Sequence, residues 1–164
     1  MTIEGPEPAP VDRQRAAALL SHRATADEVG ARFILGEASR SNRLTHLLAA
    51  VIDHGGQLLS ALRTEMAIEA VASLYDTWAN QEEDVDYRRG ASCFLARLQG
   101  LPDIFHGHIA EAEVDGRLTD LVDTTAQTFL TVMPELHSPK GRASMAQIAA
   151  AMHAKDEPGE QESN

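Results

Sequence analysis

The chain has 164 residues and a formal net charge of −11, and only 4% of its residues are aromatic. A chain of this length can bury a core without a metal or disulfide staple, and its single cysteine, Cys93, excludes an intrachain disulfide. The acidic balance disfavours nucleic acid and membrane surfaces as default partners. Ala and Leu, which favour helices, supply much of the apolar content, so the composition predicts an all-α protein.

The two ends of the chain differ from its body. Residues 1–10 are acidic and contain three prolines, and residues 155–164 are polar, charged and interrupted by a proline. Such segments bury too little apolar surface to fold, so we predict disordered tails around an all-helical domain over residues 11–154. Because residues 1–10 lack the features of a secretory signal, we expect a cytoplasmic protein.

The first two helices are predicted near the N-terminus. The first covers Val11–His22. The second follows Thr25, an N-cap with Glu28 as its capping-box partner, and Gly36 is its predicted stop. The buried face of this second helix is expected to consist of apolar residues at helical spacing: Val29, Phe33 and Ile34.

The clearest element is a heptad-like seam that begins after Ser41. Gly55 lies within the seam, where it would let a neighbouring helix approach closely. The seam changes phase near Arg63, so we predict a break there and a further helix over Glu65–Asn80, capped by Thr64. The seam residues alternate steps of four and three: Leu44, Leu48, Val51, Gly55, Leu58 and Leu62.

The second half of the chain continues as helices. Gln81–Val85 reads as an acidic loop, with Asp86 capping the next helix and Gly100 ending it in the left-handed conformation. Further helices follow, with an interruption at Asp115–Gly116 and a last short helix after a loop over residues 135–141. The prediction is a single-domain bundle of six to eight helices, and inspection detects no internal repeat.

His106 and His108, with Asp103 and Glu111 nearby, suggest a metal-dependent helical enzyme. Residues two apart on a helix point about 200° apart, however, so both imidazoles cannot hold one ion unless the segment is irregular. No Glu-x-x-His motif of the kind found in di-iron bundles accompanies them. A pair of surface or half-buried histidines is the simpler interpretation.

The other polar groups also have simple interpretations, and the sequence assigns no catalytic, cofactor-binding or metal-binding residue. Cys93 is interpreted as a small buried hydrophobe. His46, Asp53 and His54 look like a cluster, but positions 46 and 53 lie with Gln57 and Ser60 on the face opposite the leucine seam, so a solvated face is the simpler interpretation. The carboxylates Glu65, Glu69 and Asp76 are likewise interpreted as a solvated helix face.

Residues 25–50 have the outline of a degenerate helix-turn-helix. Between Asp12 and Arg43 six arginines stand against four carboxylates, and Arg40 and Arg43 open the second helix of this outline. The turn is long and Arg32 occupies a position that normally requires a small residue. A DNA-binding regulator is therefore an alternative hypothesis, tested by retention on duplex DNA at low salt.

The leading hypothesis is a non-enzymatic helical module that binds another protein or a second copy of itself. It depends on the absence of catalytic motifs and on the heptad character of the seam, which suits contact between helices. The same seam also fits an internal core stripe. No cofactor is predicted, and nucleic acid is a less favoured partner than protein.

Overall fold

The computed structural model describes residues 6–156, apart from the side chains of Met152 and Asp156. This part of the chain forms eight α-helices, one short 3-10 helix and no strand, which confirms the predicted all-α class. The helices are α1 (Pro10–Ala24), α2 (Glu28–Arg40), α3 (Leu44–Leu62), α4 (Glu65–Gln81), α5 (Val85–Leu98), α6 (Pro102–Val114), α7 (Leu118–Val132) and α8 (Pro139–Asp156), with the 3-10 helix Pro134–His137 between the last two. None of them is both long and apolar enough to cross a membrane.

The predicted limits of the folded domain were too narrow. Pro10 is already the first residue of α1, where its fixed φ suits a helix start, and α8 continues to Asp156. The remaining parts of the predicted tails, residues 1–5 and 157–164, lie outside the described residues. The predicted loop over residues 135–141 is also wrong, because most of it belongs to the 3-10 helix and to the start of α8.

The start of α2 differs from the prediction. Asp27 is its N-cap and accepts a hydrogen bond from the Gly30 N–H at 2.9 Å. Thr25 instead ends α1, and Ala26 turns the chain with a φ of 55°. Gly36 lies inside the helix and does not stop it.

The predicted buried face of α2 is also wrong. Val29 is 81% exposed and Phe33 61% exposed, and Ile34 is half-buried. Small residues bring α2 close to α1, so the face that packs is the one with the smaller side chains. Its buried residues are Ala31, Leu35 and Ala38.

Several turns lie where the sequence predicts them. The break between α3 and α4 falls at Arg63, with Thr64 capping α4. Gly100 and Gly116 turn the chain with φ values of 66° and 68°, as left-handed residues after a helix. At the start of α5, however, the N-cap is Asp84 rather than Asp86.

The eight helices are two copies of one four-helix unit. A shift of 74 residues takes α2, α3 and α4, which begin at residues 28, 44 and 65, onto α6, α7 and α8, which begin at 102, 118 and 139. The segment RLTHL at residues 43–47 recurs as RLTDL at residues 117–121. Positive φ recurs at equivalent turns, at Ala26 and Asn42 and then at Gly100 and Gly116. The expectation of no internal repeat is therefore wrong.

The same buried ion pair holds each repeat together. Arg43, the residue before α3, donates from Nε to Asp12 Oδ1 of α1 at 2.8 Å, and Arg117, before α7, donates to Asp86 of α5. The partners are 31 residues apart in both cases. Both carboxylates are buried, so each requires this charge-assisted partner.

The two repeats meet between α3 and α7. The equivalent residues Gly55 and Phe129 contact each other there, and an added Cβ at Gly55 would lie 2.5 Å from the Phe129 ring. This confirms that Gly55 permits a close approach. The equivalent arginines Arg23 and Arg97 each pair with a carboxylate in the third helix of the other repeat, Asp123 of α7 and Asp53 of α3. The two carboxylates are not equivalent positions, since the 74-residue shift does not take one onto the other.

The fourth helix of each repeat crosses to the other repeat. α4 packs mainly on α5, and α8 packs on α1 and on the 3-10 helix. Equivalent interfaces are thus formed twice, by α4 with α5 and by α8 with α1. They differ in their side chains, and this difference creates the candidate site.

Candidate ligand-binding site

Aromatic residues fill the interface between α4 and α5. The ring of Tyr75 lies 4.3 Å from that of Phe94 and 5.0 Å from that of Trp78, measured between ring centroids. Trp78 in turn stacks edge-on against Tyr87 at 5.1 Å. Tyr75 is fully buried, and its hydroxyl lies 2.9 Å from Thr128 Oγ1 of α7. This interface is therefore closely packed and its buried hydroxyl has a partner.

The equivalent interface between α8 and α1 lacks these rings. The 74-residue shift places Ala149 where the first interface has Tyr75 and Arg13 where it has Tyr87. Leu20 occupies the position equivalent to Phe94, and His54 of α3 occupies the position equivalent to Thr128. The same shift places Met152 at the position of Trp78, so the second interface has the same helices with no aromatic residue at the positions of the four rings.

A cavity of about 190 Å³ lies at this second interface. His54 forms its buried end, whereas Pro10, Gln14 and His153 are exposed to solvent. An apolar cavity of about 150 Å³ is large enough for a benzene ring, so this one can hold a monocyclic ligand. The residues lining it come from α1, α3 and α8: Pro10, Arg13, Gln14, Ala17, His54, Ala149 and His153.

His54 is the unusual group of the cavity. The side chain is 1% exposed, and its Nε2 has no hydrogen-bond partner among the residues that the structure describes. Burial lowers the pKa of His54 to about 4, so the imidazole is neutral near pH 7.

The predicted solvated face of α3 is only partly exposed. Gln57 and Ser60 are exposed, whereas His46 and Asp53 are half-buried, and Arg97 binds Asp53 through two hydrogen bonds of 2.5 and 2.6 Å. His54 lies beside this face and is buried. The consecutive residues Ala49, Ala50, Val51 and Ile52 of the same helix are all buried.

His106 and His108 do not meet at one point. Both lie within the regular helix α6 and are half-buried, as the simpler interpretation expected. The nearest carboxylate oxygen to His108 Nδ1 is Glu111 Oε2, at 3.6 Å. Nowhere in the described part of the chain do three or more potential metal ligands come together, so these residues offer no support for a metal centre.

The arginines of residues 25–50 are engaged by carboxylates. Arg43 binds the buried Asp12 and Arg40 pairs with Glu37 on its own helix. The second helix of the proposed helix-turn-helix would be α3, which is buried and cannot enter a DNA groove. This geometry does not support the DNA-binding hypothesis.

The remaining candidates agree with their simple interpretations. Cys93 is fully buried, and burial raises the pKa of its thiol to about 12, so it remains protonated near pH 7. The carboxylates along α4 are exposed to solvent, as expected for a solvated helix face. These are Glu65, Glu69 and Asp76.

Apolar side chains are exposed around the turn between α5 and α6. Leu98 is 58%, Leu101 40% and Ile104 49% exposed, and we call these three residues the apolar turn patch. Leu101 and Ile104 also line a shallow groove beside α4. The groove contains the carboxylate of Asp76, so its surroundings are acidic as well as apolar.

Comparison with protein-family models, with curated proteins and with solved structures finds no match for this chain. The argument for function therefore rests on its own residues. Sequence reasoning missed His54 and Ala149, which are far apart in the chain. Alignment of the two repeats, anchored on RLTHL and RLTDL, would have paired Ala149 with Tyr75 and so drawn attention to the missing ring.

Proposed function

We propose that the protein is a non-enzymatic binding protein that holds a small, largely apolar ligand between α1, α3 and α8. One observation carries this proposal. The cavity lies at the position that Tyr75 fills in the other repeat, and the buried imidazole of His54 is among its lining residues. A concave site of ring size whose lining combines apolar with polar side chains is typical of a small-molecule site.

The chemistry of the cavity favours binding over catalysis. Its described lining contains no carboxylate, so it offers no acid–base pair. The lowered pKa of His54 makes this imidazole a weak base at neutral pH.

Toluene is a suitable probe because it is a monocyclic hydrocarbon that requires no polar partner. We expect it to shift the backbone amide resonances of Ala17, His54 and Ala149 in heteronuclear NMR spectra. The shifts should reach a plateau as the toluene concentration rises. Ala149→Phe should abolish the shifts, because the added ring occupies the cavity. Ala150→Phe is the matched control, since Ala150 is exposed on the same helix. Absence of saturable shifts in the unaltered protein would refute the proposal.

The apolar turn patch favours a second candidate function, the binding of a protein partner. Its exposed apolar side chains lie beside Asp76 and Asp103, so a partner helix with apolar residues flanked by basic ones would complement it. Fluorescence anisotropy with a labelled amphipathic Leu/Lys peptide tests this. Ile104→Glu should weaken binding at least tenfold, whereas Val114→Glu, at a more exposed site on α6 outside the groove, should not. Equal affinities would remove this candidate.

A further inference from the structure

A second apolar surface is exposed on α2. Val29 and Phe33 are four residues apart on this helix, so their side chains are neighbours on one face, and both are mostly exposed. The opposite face, which carries the buried Ala31, packs mainly against α1. We call Val29 and Phe33 the α2 patch. Single exposed apolar residues need no explanation, but neighbouring ones form a contiguous surface that a partner can cover.

The α2 patch and the apolar turn patch are different surfaces of the two repeats. The 74-residue shift places Asp103 and Gly107 where α2 has Val29 and Phe33. At the positions of the apolar turn patch, the first repeat has small or polar residues: Ala24, Asp27 and Gly30. Each repeat therefore exposes apolar residues that the other repeat lacks, and the chain presents two unlike apolar surfaces.

The charged residues beside the two patches are of opposite sign. Arg32 and Arg40 lie along the exposed side of α2, and Asp76 and Asp103 lie beside the apolar turn patch. Each of the two arginines pairs with a carboxylate of its own helix, and in both pairs the arginine is the more exposed partner. Exposed ion pairs within a helix contribute little to stability, so these arginines can turn to the carboxylates of a partner at small cost.

We infer that the partner of the apolar turn patch is a second copy of this chain, which docks through its α2 patch. α2 exposes apolar residues beside arginines, and this is the chemistry that complements the groove containing Asp76. Because the two patches differ, the contact joins unlike surfaces of the two copies. It closes into a dimer where both copies use both patches, and it continues as a chain where they do not. This inference rests on the second candidate function and is independent of the cavity.

Sedimentation velocity tests the inference on the full chain. Protein concentrations from about 10 μM to about 1 mM cover the weak affinities that a small contact gives, and the unaltered protein should associate as its concentration rises. Phe33→Glu and Ile104→Glu each place a charge in one of the two patches, so each variant should be monomeric on its own. Val114→Glu introduces the same charge at an exposed apolar residue outside both patches, and this control should associate like the unaltered protein.

Mixing the two monomeric variants gives the decisive measurement. Phe33→Glu retains the apolar turn patch and Ile104→Glu retains the α2 patch, so their equimolar mixture should regain association through one intact contact. Association of either variant on its own would indicate contact between like patches and would overturn the inference. A mixture that stays monomeric would overturn it as well.

A second measurement needs no variant. Dilution of the unaltered protein should shift the backbone amide resonances of both patches, at Phe33 and at Ile104, while that of Val114 stays unchanged. If the protein is monomeric throughout but the Leu/Lys peptide binds the apolar turn patch, self-association is refuted and the second candidate function stands. If the peptide also fails to bind, both are refuted.

Discussion

Replacing Gly55 with alanine tests the close contact between α3 and α7, where the two repeats meet. The new Cβ would lie 2.5 Å from three carbons of the Phe129 ring, whereas carbon atoms pack at about 3.5–4.0 Å. Phe129 is fully buried, so the ring or α7 must move by about 1 Å. Overpacking of this kind costs about 1–3 kcal/mol, and alanine regains about 1 kcal/mol of helix propensity. We expect a net loss of about 1 kcal/mol.

Gly56 provides the matched control in the same helix. An added Cβ at Gly56 would meet nothing within 4 Å, so Gly56→Ala should stabilise the protein by about 0.5–1 kcal/mol. Urea unfolding followed by circular dichroism measures both variants. Phe129→Leu should recover part of the loss when combined with Gly55→Ala, because the smaller side chain can make room. Equal stabilities of the two alanine variants would refute the close contact of α3 and α7.

Two further predictions concern charged and titratable groups. Arg43→Met leaves the carboxylate of Asp12 buried without its partner, whereas Arg32→Met breaks an exposed ion pair. The decrease in the urea midpoint should therefore be several times larger for Arg43→Met than for Arg32→Met. Equal decreases would contradict the role of the buried pair. Burial lowers the pKa of His54 to about 4, below its value of about 6.5 in the unfolded chain. Between these two pH values only the unfolded chain binds the proton, so the free energy of unfolding should fall by about 2 kcal/mol from pH 6.5 to 5. His54→Leu should reduce this loss in urea unfolding at the two pH values, and an unchanged loss would refute a neutral His54.

The ends of helices were predicted correctly where the apolar periodicity changes phase or where a glycine follows it. The phase change at Arg63 and the glycine at position 100 both mark real ends of helices. The same reasoning failed for α2, because it weighted the large residues Val29 and Phe33. The helix packs instead through Ala31 and its neighbours, since small residues allow close contact with α1. Hydrophobicity patterns therefore locate helices better than they locate the packed face.

The internal repeat is not apparent in the sequence because most equivalent positions are occupied by different residues. Asp12 and Asp86 are equivalent, yet they read in sequence as unrelated acidic residues near two helix starts. The left-handed turn residues differ in type, with Ala26 in the first repeat and Gly100 in the second. Their equivalence follows only from the conformation of the backbone.

The cavity could not be predicted from either half of the chain alone, because it arises where a side chain is missing. A bundle selected for stability alone would fill both equivalent positions with a ring, as Tyr75 fills the first. An interface without this ring forfeits the packing contacts that a buried side chain would make, and the unpartnered Nε2 of His54 adds a further cost. Proteins retain such departures from good packing mainly where function uses them. The difference between Tyr75 and Ala149 therefore supports the proposal of a structural role for one interface and a binding role for the other.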